Sequence, residues 1–345
     1  MLYKYQGYAH DFTGATMPNG NDITIGKHAS HPNRLLLTLL GDYWWRRTEH
    51  LPSAALVALL REFGVSDVAA RAGLSRLVHH DLLVTAKHGR QTFYGLSQRA
   101  ARILDEGSQR IFSFGADNTS WDGTWSLVAF SIPEEQRKLR HVLRDRLRWL
   151  GFAPFYDGLW ISPHDRLHEV ASQLAELSIS VVTMFHATIT ESTPEAGSPL
   201  RAWDLAALHS QYQQFIAEVQ PLHARITRGT ISPEEALIAR THIMDTWRGF
   251  PALDPDLPDI LLPPDWPRTL ARQLFIETYD ALGPLAQRRI QHIIARYAPD
   301  LATYASYHNS ASVADILEES SPGQYASLFS LNDEEKVTPT PRHTR

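Results

Sequence analysis

Hydrogen-bond donors at helical spacing are the most informative chemical feature of this sequence. The segment 65–81 carries four of them on the side away from its apolar residues: Arg71, Ser75, Arg76 and His79. Long donors on the exposed face of a helix suit phosphate oxygens and the edges of guanine bases. We therefore expect a helix that enters a groove of double-stranded DNA; for Arg76 a structural ion pair is the alternative.

A second set of donors follows at the tip of a predicted β-hairpin. Residues 82–85 and 92–94 are β-prone, and the turn between them contains a glycine with basic neighbours. Lys87, His88 and Arg90 would then contact phosphate or the minor groove rather than major-groove bases. A helix followed by such a hairpin outlines a winged helix, but the outline also occurs in α+β domains whose charges are merely solvated.

Local signals indicate how the donor helix is placed. Ser66 can cap it, and Asp67 suits its positive end. Ala70, Leu74 and Leu77 share one face that can be buried. Helices predicted from residue 30, at 52–63 and at 97–112 would complete a small domain around it.

A different pattern begins after residue 118. Strand-like and helical segments alternate between 124 and 190 in the order β-α-β-β-α-β, which is the ferredoxin-like arrangement. Residues 131–134 resemble a capping box at the start of its first helix. Helices follow at 203–228, 232–247, 268–282 and 284–296, with an ordered loop at 249–267.

We thus expect an α+β protein with an N-terminal winged helix-turn-helix, a central ferredoxin-like domain and a C-terminal helical domain. The predicted parts are an arm (1–29), the winged helix (30–115), the ferredoxin-like domain (120–191), the helical domain (200–325) and a disordered tail (331–345). At 345 residues the chain is long enough for several domains of ~150 residues each.

Composition restricts the function classes. The absence of cysteine excludes disulfides, thiol nucleophiles and cysteine-ligated zinc. There is no apolar run of ~18 residues and no apolar signal core, so we expect a cytoplasmic protein without membrane contact. The net charge is −5, yet residues 27–112 hold 12 basic against 7 acidic side chains. A basic module on an acidic remainder fits a DNA-binding head on a sensing body.

Signals for catalysis and metal binding are weak. There is no GxSxG, P-loop or GxGxxG motif, so we expect no enzyme and no cofactor. Asp254, Asp256 and Asp259 could offer oxygens to Ca²⁺, but prolines interrupt the run and we assign no metal. Asp122, near the first strand of a ferredoxin-like domain, leaves a metal-dependent nuclease as an alternative at the level of fold analogy.

Five stretches resemble the PaaX-like family of transcriptional regulators, the repressors of phenylacetic acid degradation. They are RLLLTLLGDY (34–43), VSDVAARAGLSRLVHHDLL (65–83), GRQTFYGLS (89–97), residues 121–163, and WRGFPALDPDLPDILLPPDWP (247–267). The resemblance implies a homodimer that represses genes of aromatic catabolism and is released from DNA by phenylacetyl-CoA. Arg71, Arg76, Arg90 and Tyr94 match positions in the family's helix and wing. The helix is richer in small residues, and the N-terminal arm longer, than the resemblance leads us to expect.

An effector of that kind requires a site for an anionic aromatic ligand. Arg140, Arg144 and Arg148 lie with Arg137 on one helical face and could bind phosphates of a coenzyme A group. A solvated or salt-bridged face is the alternative. The turn at 247–251, which contains Arg248, could hold the aryl group together with Trp266, or could belong to the core of the helical domain.

The sequence therefore predicts a dimeric repressor of an aromatic-acid operon, released by an aryl-acyl-CoA. A regulator of the same architecture that answers another metabolite, or that activates, remains open.

Overall fold

The computed structural model describes residues 32–116, 120–176, 182–190 and 198–319. The predicted arm and the predicted tail lie outside these residues. Contacts divide the chain into two compact units. Of the described residues, the first unit comprises 32–112, 219–248 and 274–319, and the second comprises those between 113 and 218 and between 249 and 273.

The described N-terminal part of the first unit is a winged helix. Its elements are α1 (Pro32–Tyr43), β1 (Leu51–Pro52), α2 (Ser53–Arg61), α3 (Asp67–His79), β2 (Leu83–His88), β3 (Gln91–Leu96) and α4 (Gln98–Ser113). The strands form an antiparallel sheet in the order β1-β3-β2. The predicted helix and hairpin are both confirmed.

The donor helix begins where its sequence predicts. The hydroxyl of Ser66 accepts a hydrogen bond from the backbone N–H of Ala69 at 3.3 Å. Ala70, Leu74 and Leu77 are buried, and they pack in a core that includes leucines of α1 and α2. Burial of a leucine side chain contributes about 1.5–3 kcal/mol, so this seam fixes which face of α3 remains outside.

C-terminal helices complete the first unit. They are α7 (Leu205–Thr227) from residue 219 on, α8 (Pro233–Trp247), α10 (Arg268–Ala295) from residue 274 on, α11 (Pro299–Ala302) and α12 (Ser310–Glu319). A capping box begins α8, since Ser232 and Glu235 exchange side-chain to backbone hydrogen bonds of 3.2 and 3.0 Å.

The predicted interruption at Pro284 is wrong, because α10 continues through it. A proline inside a helix removes a hydrogen bond and costs about 3 kcal/mol. Leu282, Ala286 and Ile290 are buried at four-residue spacing on both sides of Pro284. The continuous buried stripe that they form outweighs the local cost.

The second unit contains the ferredoxin-like domain. Its elements are β4 (Trp125–Phe130), α5 (Arg137–Trp149), β5 (Ala153–Tyr156), β6 (Leu159–Ser162), α6 (Leu167–Glu176) and β7 (Val182–Ala187). The described strands form an antiparallel sheet in the order β5-β6-β4-β7. This confirms the β-α-β-β-α-β prediction. Leu143, Leu147, Val170 and Trp160 belong to its buried core.

The capping box predicted at residues 131–134 is wrong. Pro133 occupies the N-cap position of a 3₁₀ turn, Glu134–Gln136, and makes no side-chain cap. The side chain of proline has no hydroxyl to accept a backbone N–H, and the α-helix itself begins at Arg137.

The loop at 249–267 is ordered, as predicted. It contains α9 (Phe250–Leu253) and a 3₁₀ turn at Asp259–Leu261. Among the described helices of both units, none combines the length and apolar composition needed to cross a membrane.

Candidate nucleic-acid interface

The exposed face of α3 carries the four predicted donors. Arg71, Ser75, Arg76 and His79 are all exposed, while the opposite side of the helix packs in the core. Val68 lies on the same face and is 78% exposed. Val68 is not a hydrogen-bond donor and was therefore not predicted, although its spacing of three and seven residues from Arg71 and Ser75 places it on the same helical face. An apolar side chain here suits the methyl group of thymine.

Arg71 is held loosely. Its guanidinium lies 3.8 Å from the carboxylate of Asp67, and its side chain is 63% exposed. Asp67 pairs more closely with Arg61, at 2.7 Å, and the hydrogen bond from Arg61 lowers the pKa of Asp67. Exposed pairs of this kind contribute little to stability. Arg71 therefore keeps its donors available for a groove.

Arg76 is partly tethered. Its Nε donates to Oδ1 of Asn33, at the start of α1, over 3.2 Å. This partner is a neutral amide and not the acid of a structural ion pair, and the Arg76 side chain remains exposed. Gly73 explains why α1 approaches α3 so closely there, because a Cβ at this position would lie 3.1 Å from that of Pro32.

The wing is longer than predicted. Lys87 and His88 end β2 and pair with Thr92 and Gln91, which leaves Gly89 and Arg90 as a two-residue turn. Gly89 has a φ of 60°, and tight hairpin turns favour glycine at such positions. Lys87, His88 and Arg90 are exposed at this tip. The ring of His88 contacts Phe93 edge-on at 5.1 Å, which limits its freedom.

The structure brings together two of the five predicted effector residues. Arg144 and Arg148 line one cleft of the second unit. Arg140 instead donates to Glu134 at 2.7 Å and to the carbonyl oxygen of Ile132 at 3.1 Å.

The last two predicted effector residues, Arg248 and Trp266, lie in different surroundings. Arg248 lies in the first unit and pairs with Asp245, and burial lowers its pKa. Trp266 lies in the second unit, with its ring 6.4 Å from Tyr212 and 5.7 Å from His209.

The three aspartates considered for calcium surround an arginine. Arg268 donates to Asp256 at 2.9 Å and to Asp259 at 2.6 Å, and lies 3.7 Å from Asp254. Its Nη2 also donates to the carbonyl oxygen of Leu257 at 2.8 Å. The acidic run thus has a structural partner, and these contacts order the loop.

Asp122 makes a local turn contact. Its Oδ1 accepts the backbone N–H of Thr124 at 2.8 Å. Across the residues that the structure describes, no group of three or more His, Asp or Glu side chains is placed to hold a metal ion.

Taken together, the exposed donors of α3 and the basic tip of the wing define a winged-helix protein of the DNA-binding class. Three family models, each for one PaaX domain, match consecutive parts of the chain: PaaX-like protein (31–100), the PaaX protein central Cas2-like domain (118–198) and the PaaX-like protein C-terminal domain (203–292). The transcriptional repressor PaaX of Escherichia coli is 30% identical over 258 residues, which span 73% of this chain and 80% of that protein. The chain belongs to the PaaX-like family.

A solved structure is also similar. It is an uncharacterised protein from Mycobacterium tuberculosis, 20% identical, with a TM-score of 0.49 over 76% of this chain and 98% of that one.

Proposed function

We propose that this protein is a transcriptional repressor that binds operator DNA as a homodimer and leaves it when an aryl-acyl-CoA thioester binds. The exposed donor face of α3, followed by the basic tip of the wing, carries the proposal. Membership of the PaaX-like family supports it, as does the name of the Escherichia coli relative, a transcriptional repressor.

In this proposal α3 lies in the major groove. Arg71 reads a guanine with two parallel hydrogen bonds, and Val68 contacts a thymine methyl group. Arg76, Ser75 and His79 hold the helix against the groove edges and phosphates. The phosphate contacts set the register of the helix, whereas Arg71 and Val68 supply sequence preference.

The wing acts beside that groove. Lys87, His88 and Arg90 contact phosphate or the adjacent minor groove. Two copies of the chain would bind two half-sites, so the operator should be a pseudo-palindrome with half-sites about one helical turn, or a multiple of it, apart. Occupation of this site would exclude RNA polymerase from the promoter.

Release requires a ligand that prefers the form unable to span both half-sites. A ligand shifts such an equilibrium only by its difference in affinity for the two forms. We take phenylacetyl-CoA or another acyl-CoA as this ligand, and the cytoplasm, where DNA and acyl-CoA meet, as the location.

A mobility-shift titration on the fragment upstream of the gene tests the proposal. We expect binding that weakens steeply with salt and is released by phenylacetyl-CoA. Arg71→Ala should weaken binding by about 1–3 kcal/mol if Arg71 reads a guanine. Arg228→Ala removes an exposed arginine outside the winged helix and is the matched control; it should leave affinity unchanged.

Each other outcome has a definite meaning. Equal affinity of wild type and Arg71→Ala would remove Arg71 from the interface. Binding that ignores the thioester would favour another metabolite, and raised transcription from the bound promoter would favour an activator. Metal-dependent cleavage of the fragment, lost in Asp122→Ala, would favour the nuclease alternative.

A further inference from the structure

A cleft on the ferredoxin-like domain lies between α5 and the β5–β6 hairpin. Its volume is about 390 Å³. The lining residues that matter here are Arg144, Arg148, Phe155, Tyr156, Asp157 and Trp160. Clefts that bind small organic ligands commonly measure about 300–1,000 Å³, so this one can hold a mononucleotide or one end of a larger molecule.

Arg144 contributes a donor that no described residue satisfies. Its Nε is buried and forms no hydrogen bond with the part of the chain that the structure describes. A buried donor without an acceptor is costly, and more so when it belongs to a charged group. The arrangement therefore favours an anionic acceptor brought in by a ligand.

Arg148 lies beside it with exchangeable contacts. Its guanidinium carbon lies 5.4 Å from the centre of the Trp160 ring, which supports the side chain. Its pair with Asp145 spans 2.9 Å, but both side chains are about half exposed. Such a pair contributes ~0–1 kcal/mol, so a phosphate can replace it. Together the two arginines can chelate one phosphate group.

The hairpin supplies an aromatic platform on the other side of the cleft. The rings of Phe155 and Tyr156 lie 4.4 Å apart, and Tyr156 remains 47% exposed. The guanidinium of Arg201 lies 5.9 and 5.5 Å from these rings and helps to hold them. Asp157, at the turn, can accept a hydrogen bond from an amino or hydroxyl group. A planar ring that carries such a donor fits this end.

We propose that the cleft binds a phosphorylated ligand with a planar ring, with Arg144 and Arg148 on the phosphate and Tyr156 against the ring. The ligand we assign is the nucleotide end of the effector, and in this respect the inference rests on the proposed function. The acyl end would extend out of the cleft, so the nucleotide end gives affinity that is independent of the acyl group.

Isothermal titration calorimetry on the full-length protein tests this assignment with three probes: coenzyme A, adenosine 3′,5′-bisphosphate and phenylacetate. We expect the first two to bind and phenylacetate not to bind. Arg144→Ala and Arg148→Ala should each weaken adenosine 3′,5′-bisphosphate about tenfold or more. Arg144→Lys keeps the charge but loses the planar fork, so its affinity for the bisphosphate should lie between those of wild type and Arg144→Ala. Arg137→Ala, on the same helix but outside the cleft, should leave the affinity unchanged.

Two results would overturn the assignment: no binding of the bisphosphate to wild type, or equal binding by wild type and a folded Arg144→Ala, Arg148→Ala double variant. A parallel mobility shift separates this failure from failure of the repressor proposal. If phenylacetyl-CoA still releases the double variant from DNA as it does wild type, the repressor proposal stands and the cleft assignment falls. If wild type binds the bisphosphate but no DNA, the cleft assignment stands without the repressor.

Discussion

Arg240 in α8 and Asp42 in α1 form a buried ion pair, with Nη1 and Oδ2 3.7 Å apart and side chains 0% and 6% exposed. Tyr279 completes the network. Its hydroxyl donates to Asp42 at 2.8 Å, and its carbonyl oxygen accepts from Arg240 at 3.1 Å. Burial raises the pKa of Asp42, while the charge of Arg240 and the Tyr279 hydrogen bond oppose that rise. The network joins the first helix of the winged helix to the C-terminal helices of the same unit.

Arg240→Met should strongly destabilise the first unit. The substitution leaves Asp42 buried without its counter-charge, and removal of one partner from a buried pair costs about 3–5 kcal/mol. Urea denaturation followed by circular dichroism measures the loss. Asp42→Asn in the same chain should restore part of it, because the uncompensated charge is then gone. If Arg240→Met kept wild-type stability, Asp42 would have to be neutral in the folded protein.

The stability of the first unit should depend on pH through His308. Burial lowers the pKa of His308 to about 4, and the charges of Arg240, Arg47 and Arg46 act in the same direction. Its ordinary pKa is 6.5, so between these values the unfolded chain binds more protons than the folded one. Stability due to this group is present above pH 6.5 and is lost as the pH falls toward 4, by at most about 3 kcal/mol.

The matched variant for this effect is His308→Gln, which keeps the backbone carbonyl that accepts from Arg240 at 2.6 Å. Urea midpoints at pH 7, 5.5 and 4 should fall less steeply in the variant than in wild type. Parallel curves would mean that His308 titrates alike in both states.

Features with local signals could be predicted from the sequence. The cap at Ser66, the buried spacing of Ala70 and Leu74 and the β-prone runs around Gly89 all lie within about thirty residues, and each acts over one or two turns. The ferredoxin-like order followed in the same way from alternating short segments.

Features that depend on distant residues could not be predicted. Asp42 and Arg240 meet only because α1 packs against α8, and no spacing in the sequence encodes that contact. Arg268 is a nearer case: no metal was assigned to the three aspartates from the sequence, but residue spacing alone did not predict that the guanidinium of Arg268 lies among Asp254, Asp256 and Asp259. Of the predicted effector residues, Arg144 and Arg148 line one cleft, and no spacing in the sequence predicts that the β5–β6 hairpin forms its other side.

Val68→Asp should weaken DNA binding without loss of stability. Val68 is 78% exposed and is the second residue of α3, where an acid suits the positive helix end. On the face proposed to meet DNA, however, the new charge faces phosphate. We expect operator affinity to fall at least tenfold in a mobility shift, while the melting temperature stays the same or rises. Ile260 is equally exposed but lies in the other unit, so Ile260→Asp should change neither the operator affinity nor the melting temperature. Similar operator affinities of the two variants would remove Val68 from the interface.

Asn33 should act on DNA binding through Arg76. Its Oδ1 accepts the Nε hydrogen bond of Arg76 at 3.2 Å, and loss of this acceptor frees a long side chain that must then be ordered on binding. A hydrogen bond of this kind contributes about 0.5–1.5 kcal/mol, so Asn33→Ala should weaken operator binding roughly two- to tenfold. Because the contact is exposed, the free energy of unfolding should change little.

A double-mutant cycle identifies Asn33 as a positioning residue rather than a direct contact. If Asn33 acts only by orienting Arg76, then Asn33→Ala should add nothing once Arg76→Ala is present, since contacting residues are not additive. Asn33→Asp keeps the acceptor and adds a negative charge, so it should hold Arg76 more tightly and reduce the salt dependence of binding. Additive losses in the cycle would instead place Asn33 itself against the DNA, with Arg76 independent of it.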